Sequence, residues 1–391
     1  MKISKQLKFG LIISIILILS VAIISIISIS NLDNKNITGK IIKENSKYET
    51  INIGAILPLT GNAAEFGLWM KQGLQLAVEN TNDDKINNKK IKIFFEDSQS
   101  DVKTGLSAYK KLKEINKIDY LFTSISSVTI PILGESTKDN VLVLTSSTHS
   151  KINSKEYLVL RIYLTPEKTS QKMAEFAYNK LNKKRAGIIY LNDESLSEYE
   201  KYFSTTFENL GGKTYSENFN YGETDFKTQL TKIKQWAPDC LYICGWDENG
   251  LIMKQAKELG LDVQYLGTMT FNSEDTIKNA RSAAENAIFA EFAFNPDTKN
   301  ENMKEFKQKY IQKYNKEPTS TTALFYDGMK ILIETINEAN TKDPKKVFET
   351  IINKDQYSST TIEDISFDSN GDIILPITFK IIQNSQFVDY K

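Results

Sequence analysis

Two short hydroxyl-rich loops carry the side chains best placed for chemistry. One is Ser124–Thr129 within TSISSVTIP, and the other is Thr145–Ser150 within LTSSTHS. Each follows a short apolar run, DYLF at 119–122 and VLVL at 141–144, of the kind expected of a strand buried in a parallel sheet. Pro131 is tolerated in the first turn of a helix, which predicts a helix start near Ser127. The hydroxyls and free N–H groups of Ser126 and Ser127 then stand at a helix N-terminus, where a carboxylate is favoured. Singly, such residues are ordinary caps and turn formers. Two hydroxyl-rich loops at one sheet edge point instead to a site for an electron-rich group. His149 adjoins Thr148, but a lone histidine without a nearby cysteine or acidic motif reads as structural or surface-bound. No G-x-x-x-x-G-K-[ST], H-E-x-x-H or G-x-S-x-G occurs, so phosphate-loop, zinc and hydrolase chemistry lack support. The expectation is a binding protein rather than an enzyme, without cofactor or metal.

These loops need a sheet to hold them, and the stretch INIGAILPLTGNAAEFGLWMKQGLQLAVENTN at 51–82 supplies its first unit. Ile51, Ile53 and Ala55–Leu57 predict a strand buried on both faces. Pro58 ends it, Thr60-Gly61-Asn62 offers turn chemistry and a cap, and an amphipathic helix follows through Phe66, Trp69, Leu74 and Val78. Strand-like and helix-like segments then alternate to the end of the chain, among them IKIFFED, AGIIYLND, DCLYICG and VQYLGTM. YLVLRIYLTPE (157–167) reads as an extended crossing segment, with Thr165 capping a helix that opens at Pro166. The tail ISFDSNGDIILPITFKII alternates like a hairpin around Asn370-Gly371. This order predicts an α/β protein with two doubly wound parallel-sheet lobes. Lobe 1 is expected to comprise 51–165 plus 295–358, and lobe 2 166–294 plus 359–391.

With 391 residues the chain is long enough for two domains, and its 49 basic residues balance its 49 acidic ones, so no basic field invites nucleic acid. Lys2, Lys5 and Lys8 precede the uncharged run Leu11–Ser30, twenty residues that would span about 30 Å as a helix. The basic flank predicts a cytoplasmic N-terminus and an external remainder. A retained membrane anchor is the expectation for 1–30, with a signal peptide cleaved near Ser28-Ile29-Ser30 as the alternative. Polar residues 31–50 read as a tether. Cys240 and Cys244 would share one strand face about 13 Å apart, too far for a disulfide, and are expected to be buried thiols.

The 51–82 stretch resembles the first segment of the Leu/Ile/Val-binding protein family, the type I periplasmic solute-binding proteins of ABC transporters. There a strand ending in PLTG or PLSG runs into a glycine-spaced helix, matched here by Gly67, Gly73, Leu76–Val78 and Asn82. EDSQSDVKTGLSAYKKL and FDSNGD are similar to further motifs of that family, although Val102 replaces a proline. The resemblance implies a type I periplasmic binding fold, with lobes joined by three crossings near Thr165–Lys168, Ala293–Pro296 and Ser358–Asp364. It also implies a small ligand between the lobes and an ABC permease as partner. Residue by residue, it assigns the ligand's carboxylate to Ser127 and Thr148, with Ser126 beside them and the backbone of Ser146 between. Phe66 of the first lobe and Trp246 of the second would line the pocket.

Two positions depart from the family pattern. Ser195, or its neighbour Leu196, stands where a tyrosine is frequent. Met269 stands where an acid pairs with the ligand's ammonium, and Asp247 or Asp193 could substitute. The resemblance therefore leans toward an amino acid, with a non-amino carboxylate or an amide as the alternative ligand. An ABC importer's solute-binding protein is the leading function, because the sequence ends without a signalling domain. A membrane-tethered sensory module of the same fold is the runner-up.

Overall fold

The protein, a computed structural model, is described over residues 49–61, 63–83, 89–297, 300–362 and 364–391. The apolar run Leu11–Ser30, most of the tether and Asn62 lie outside the described residues. No described helix is long and apolar enough to cross a membrane.

The first sheet contains β1 (Glu49–Leu57), β2 (Lys89–Asp97), β3 (Tyr120–Thr123), β4 (Leu142–Thr145) and β5 (Val159–Arg161), in the order β2-β1-β3-β4-β5. Strands β1, β3, β4 and β5 run parallel. Ile53, Ala55 and Leu57 of β1 enter one hydrophobic cluster and Ile56 another, so the strand is buried on both faces as its apolar run requires. YLVLRIYLTPE was expected to be a crossing, yet its centre pairs with β4 as the edge strand β5. Helix α1 (Ala64–Asp83) packs against α10 (Ser320–Glu338). The spaced glycines of α1 follow from this packing. A Cβ at Gly73 would lie 2.3 Å from the carbonyl oxygen of Thr322 on α10, and one at Gly67 would lie 2.0 Å from that of Pro58. Thr60, in the stretch expected to supply turn and cap, donates to Asp97 at 2.6 Å, and Leu59 N–H donates to the same carboxylate at 2.8 Å. The PLTG turn is thereby fixed to the end of β2.

Between α1 and α10 lie the helices α2 (Val102–Lys111), α3 (Ser126–Lys138), α4 (Pro166–Glu175), α5 (Leu196–Asn209), α6 (Lys227–Gln235), α7 (Asn249–Glu258), α8 (Glu274–Ala280) and α9 (Glu301–Tyr314). Helix α11 (Pro344–Asn353) comes after α10. Thr165 caps α4 by accepting from Lys168 N–H, with Pro166 at the first helical position, as expected.

The second sheet takes β6 (Arg185–Leu191), β7 (Lys213–Phe219), β8 (Cys240–Cys244), β9 (Gln264–Gly267) and β10 (Ile288–Phe292), all parallel. Two further strands, β13 (Ile377–Gln383) and β14 (Gln386–Asp389), join its β10 edge antiparallel, so this sheet is mixed rather than wholly parallel. Strand β13 pairs with β10, and β14 follows it through a two-residue hairpin at Asn384 and Ser385, whose positive φ values of 51° and 60° suit a turn between antiparallel neighbours. Cys240 and Cys244 are free and buried in β8, and burial pushes the Cys240 thiol up to about 12.

The chain leaves the first sheet after β5 and returns after β10 to build α9, α10 and α11. The FDSNGD segment forms the expected hairpin, pairing β11 (Ser366–Phe367) with β12 (Ile373–Ile374). Ile365, Phe367, Ile373 and Leu375 pack in the first lobe's cluster, so the last passage comes at Leu375–Pro376 rather than at Ser358–Asp364. Arg161 anchors this hairpin, since its N–H donates to Gly371 at 2.8 Å and its Nε lies 3.2 Å from Asp372.

Candidate ligand-binding site

A cleft of about 970 Å³ lies between the two sheets at the C-terminal ends of their parallel strands. Phe66, Ser126, Ser127, Ser146, Thr148, Ser195, Trp246 and Met269, drawn from six separate segments, all line it.

The first lobe contributes a wall of hydroxyls and helix-terminal N–H groups. Helix α3 begins at Ser126, close to the expected start. The reason given from Pro131 does not hold, because Pro131 occupies the second turn rather than the first. Having no N–H, it cannot donate to the carbonyl of Ser127 four residues earlier. The turn into α3 runs through Ile125, whose φ of 66° and ψ of 112° are costly for a β-branched residue. Ser126 Oγ accepts from the His149 N–H at 3.3 Å and from Ser195 Oγ of the other lobe at 3.0 Å, while Ser127 is exposed. Ser124 Oγ is buried without a hydrogen-bond partner among the described residues, and Ser124 lines the cleft.

A buried hydroxyl chain joins the two loops of this wall. Thr145 Oγ1 donates to Ser147 Oγ at 2.9 Å, and Ser147 Oγ donates to Thr129 Oγ1 at 2.7 Å. Ser147 and Thr145 therefore serve the scaffold. Arg161 fixes the same loop from behind, donating to the carbonyls of Thr148 at 3.0 Å, His149 at 3.2 Å and Ile152. Burial lowers the Arg161 pKa and raises that of Asp372, and each charge opposes the shift in the other.

The second lobe contributes an aromatic and acidic wall. Trp246 follows β8 in a turn clamped by Asn249, whose side chain accepts from Gly245 N–H at 3.0 Å and donates to Gly245 O at 3.1 Å. Trp246 N–H donates to Glu248 at 3.1 Å, and its indole donates to Asp193. Asp193 also accepts from Leu196 N–H at 2.6 Å, capping α5. Its pKa is raised because burial outweighs these hydrogen bonds. The pKa of Asp247 is raised by burial and by the nearby charges of Glu248 and Asp275. Met269 is 4% exposed and belongs to the first lobe's apolar cluster, so it offers no charge.

Phe66 and Trp246 meet across the cleft edge to face, with ring centroids 6.4 Å apart. At the mouth, His149 Nε2 lies 3.3 Å from Glu194 and Lys151 Nζ lies 3.6 Å from it. Ser150 N–H donates to Glu198 at 3.1 Å, and Ser150 Oγ donates to the same carboxylate. His149 Nδ1 accepts from Lys151 N–H at 3.0 Å, which places the proton of a neutral ring on Nε2, facing Glu194. The lone histidine is thus a contact between lobes.

Sequence reasoning missed Tyr163, Tyr199, Met70 and Thr321, which also line the cleft. Tyr163 follows β5 in the segment read as a crossing, and Thr321 opens α10, which is built only after the chain returns to the first lobe. Behind the cleft, Glu291 of β10 accepts from Asn272 at 2.9 Å and from Ser320, at the start of α10, at 3.3 Å. Burial raises its pKa to about 7. Among the described residues no group of three or more His, Cys, Asp or Glu could hold a metal ion.

Comparison with known proteins gives this geometry a lineage. The Leu/Ile/Val-binding protein homolog 2 of Brucella abortus (strain 2308) is 27% identical over 335 residues, covering 84% of this chain and 88% of the relative. The crystal structure of a leucine-binding protein, LivK, from Thermotoga maritima superposes with a TM-score of 0.81 at 26% identity, covering 87% of this chain and 98% of the other. The LivJ substrate-binding protein of Streptococcus pneumoniae, solved with isoleucine, shares the fold with a TM-score of 0.78 at 23% identity, covering 87% and 98%. Residues 50–379 match the family described as periplasmic binding protein, and the chain belongs to that family, with its type I α/β fold.

Proposed function

We propose that this protein is the extracytoplasmic solute-binding component of an ABC importer, and that it closes two lobes around a small carboxylate-bearing ligand, an amino acid by preference. The observation that carries this reading is the pairing of unlike walls across one cleft. Ser127, Thr148 and the N-terminus of α3 offer donors, and Trp246 and Asp193 stand opposite. A carboxylate at the α3 N-terminus meets unpaired N–H groups and the positive end of the helix dipole. Ser126 and Ser146 shape that end of the site, Phe66 and Trp246 contact the ligand's apolar part, and Ser195 and Met269 complete the second side. The names of the similar proteins, leucine- and Leu/Ile/Val-binding, support an aliphatic amino acid. Closure is a hinge motion, stabilised to the extent that the ligand touches both lobes. The lobes divide near residues 165 and 295, and the closed form presents its ligand to a membrane permease.

Titration of the purified domain with L-leucine and L-isoleucine, followed by tryptophan fluorescence, tests this reading. Thr148→Ala removes one hydrogen bond to a charged group, worth about 1.5–3 kcal/mol, and should weaken binding roughly ten- to a hundredfold. Unchanged affinity would remove the carboxylate site. Residues 11–30 are proposed to anchor the domain to the outer face of the cell membrane. Protease added to intact spheroplasts should digest the domain, and full protection would reject that placement.

A further inference from the structure

We infer that Asp193 is the cation-binding residue of the cleft, receiving the ligand's protonated amine in the role that Met269 cannot fill. The inference rests on the reading of the opposite wall as a carboxylate site. Four carboxylates line the cleft: Asp193, Glu194, Asp247 and Glu248. Glu194 is already engaged by His149 and Lys151 at the mouth. Glu248 turns back on its own chain to accept from Trp246 N–H. Asp247 faces a neighbouring depression as well as the cleft, and the charges near it are those of Glu248 and Asp275.

Asp193 and Glu194 lie on the loop that meets the first wall, and of these two only Asp193 makes no ion pair among the described residues. Its partners are neutral, the N–H groups of Leu196 and Ser195 and the indole of Trp246. A carboxylate withdrawn from water with only neutral donors carries an uncompensated charge, and a cation placed beside it recovers much of that cost. Its position suits an amine whose carboxylate lies on the first wall. Asp193 stands two residues before Ser195, whose hydroxyl touches Ser126 Oγ at 3.0 Å, so this loop abuts the donor wall. The ligand class that satisfies both walls is an α-amino acid with a free amine.

The test compares L-leucine with 4-methyl-2-oxopentanoate, which differs only in carrying an oxo group in place of the amine. Asp193→Asn is the informative variant, since asparagine can still accept from Leu196 N–H and cap α5. The unaltered chain should prefer leucine by tenfold or more. Asp193→Asn should lose about ten- to a hundredfold in leucine affinity and leave the oxo acid unchanged or tighter. Asp247→Asn should keep the preference. An undiminished preference in Asp193→Asn, or its loss in Asp247→Asn, overturns the assignment while leaving the carboxylate reading to stand on Thr148→Ala. An unaltered chain that binds the oxo acid as well as leucine also overturns it, again without touching the carboxylate site. A chain that binds neither probe overturns both. Should Asp193→Asn melt well below the parent, Asp193→Glu decides, because retained charge must retain the preference for leucine.

Discussion

The two walls of the cleft are built on opposite plans. The first is neutral at its surface and held rigidly from within, by a chain of hydroxyls and by a buried guanidinium that grips three carbonyls of one loop. The second carries its charge at the surface, and its main aromatic is held by two acids, one of which spends part of its hydrogen-bonding capacity on a helix cap. The contrast teaches that donors can be offered cheaply by backbone and helix ends, whereas acceptors for a cation must be side chains exposed to some desolvation. A ligand with unlike ends is therefore oriented by the difference between the walls rather than by either alone.

The comparison can be broken most forcefully at Arg161. Arg161→Met leaves Asp372 buried without its cation and frees the loop bearing Thr148. Removing one partner of a buried pair costs about 3–5 kcal/mol. Urea unfolding should register a loss of that size, and a change below about 1 kcal/mol would show that the first wall is not held from within.

Glu291 joins both sides, and its behaviour depends on pH. Its pKa is held up to about 7 by burial, against an ordinary 4.5, so the folded chain binds this proton more tightly than the unfolded chain. Stability from this residue is therefore full below the unfolded value and is lost as pH rises through the folded one. Glu291→Gln should stabilise the protein at pH 8 by on the order of 3 kcal/mol and change little near pH 4. Melting curves at the two pH values measure it, and an equal effect at both would refute the buried-acid account.

The smallest effect is expected at the mouth. Glu194 is exposed, and exposed ion pairs contribute about 0.2–1 kcal/mol, diminished by salt. Glu194→Gln should speed ligand dissociation by no more than about fivefold at low salt, as read by stopped-flow fluorescence. A larger change would move weight from the walls to the mouth.

Much of the lining of the candidate cleft was legible because its parts are local. Ser126 and Ser146 follow strand ends, and a strand-to-helix loop in a parallel sheet leads to a cleft whatever the rest of the chain does. Gly67 and Gly73 were legible as spacing, although only the packing of α1 against Pro58 and α10 explains it. What escaped depends on distant partners. Arg161, in the segment read as a crossing, was not singled out, because the partner that lets it be buried in β5, Asp372, lies 211 residues further along the sequence. Pro131 was misread because proline forbids one hydrogen bond, to Ser127, and does not fix which turn contains it. The last passage between lobes was placed at Ser358–Asp364 by the family resemblance, and FDSNGD itself gives no local sign that Arg161 holds it to the first lobe.

The contacts at the mouth carry a consequence for timing. His149, Ser150 and Lys151 grip Glu194 and Glu198 through groups that the proposed ligand does not touch. Separation of the lobes breaks them whatever molecule lies inside. On the proposed hinge closure, they lengthen the dwell of every occupant by the same factor and raise the share of empty molecules that are already shut, which slows capture. On that proposal, selection among ligands and the duration of their stay fall to different side chains, so either can drift in evolution while the other is kept.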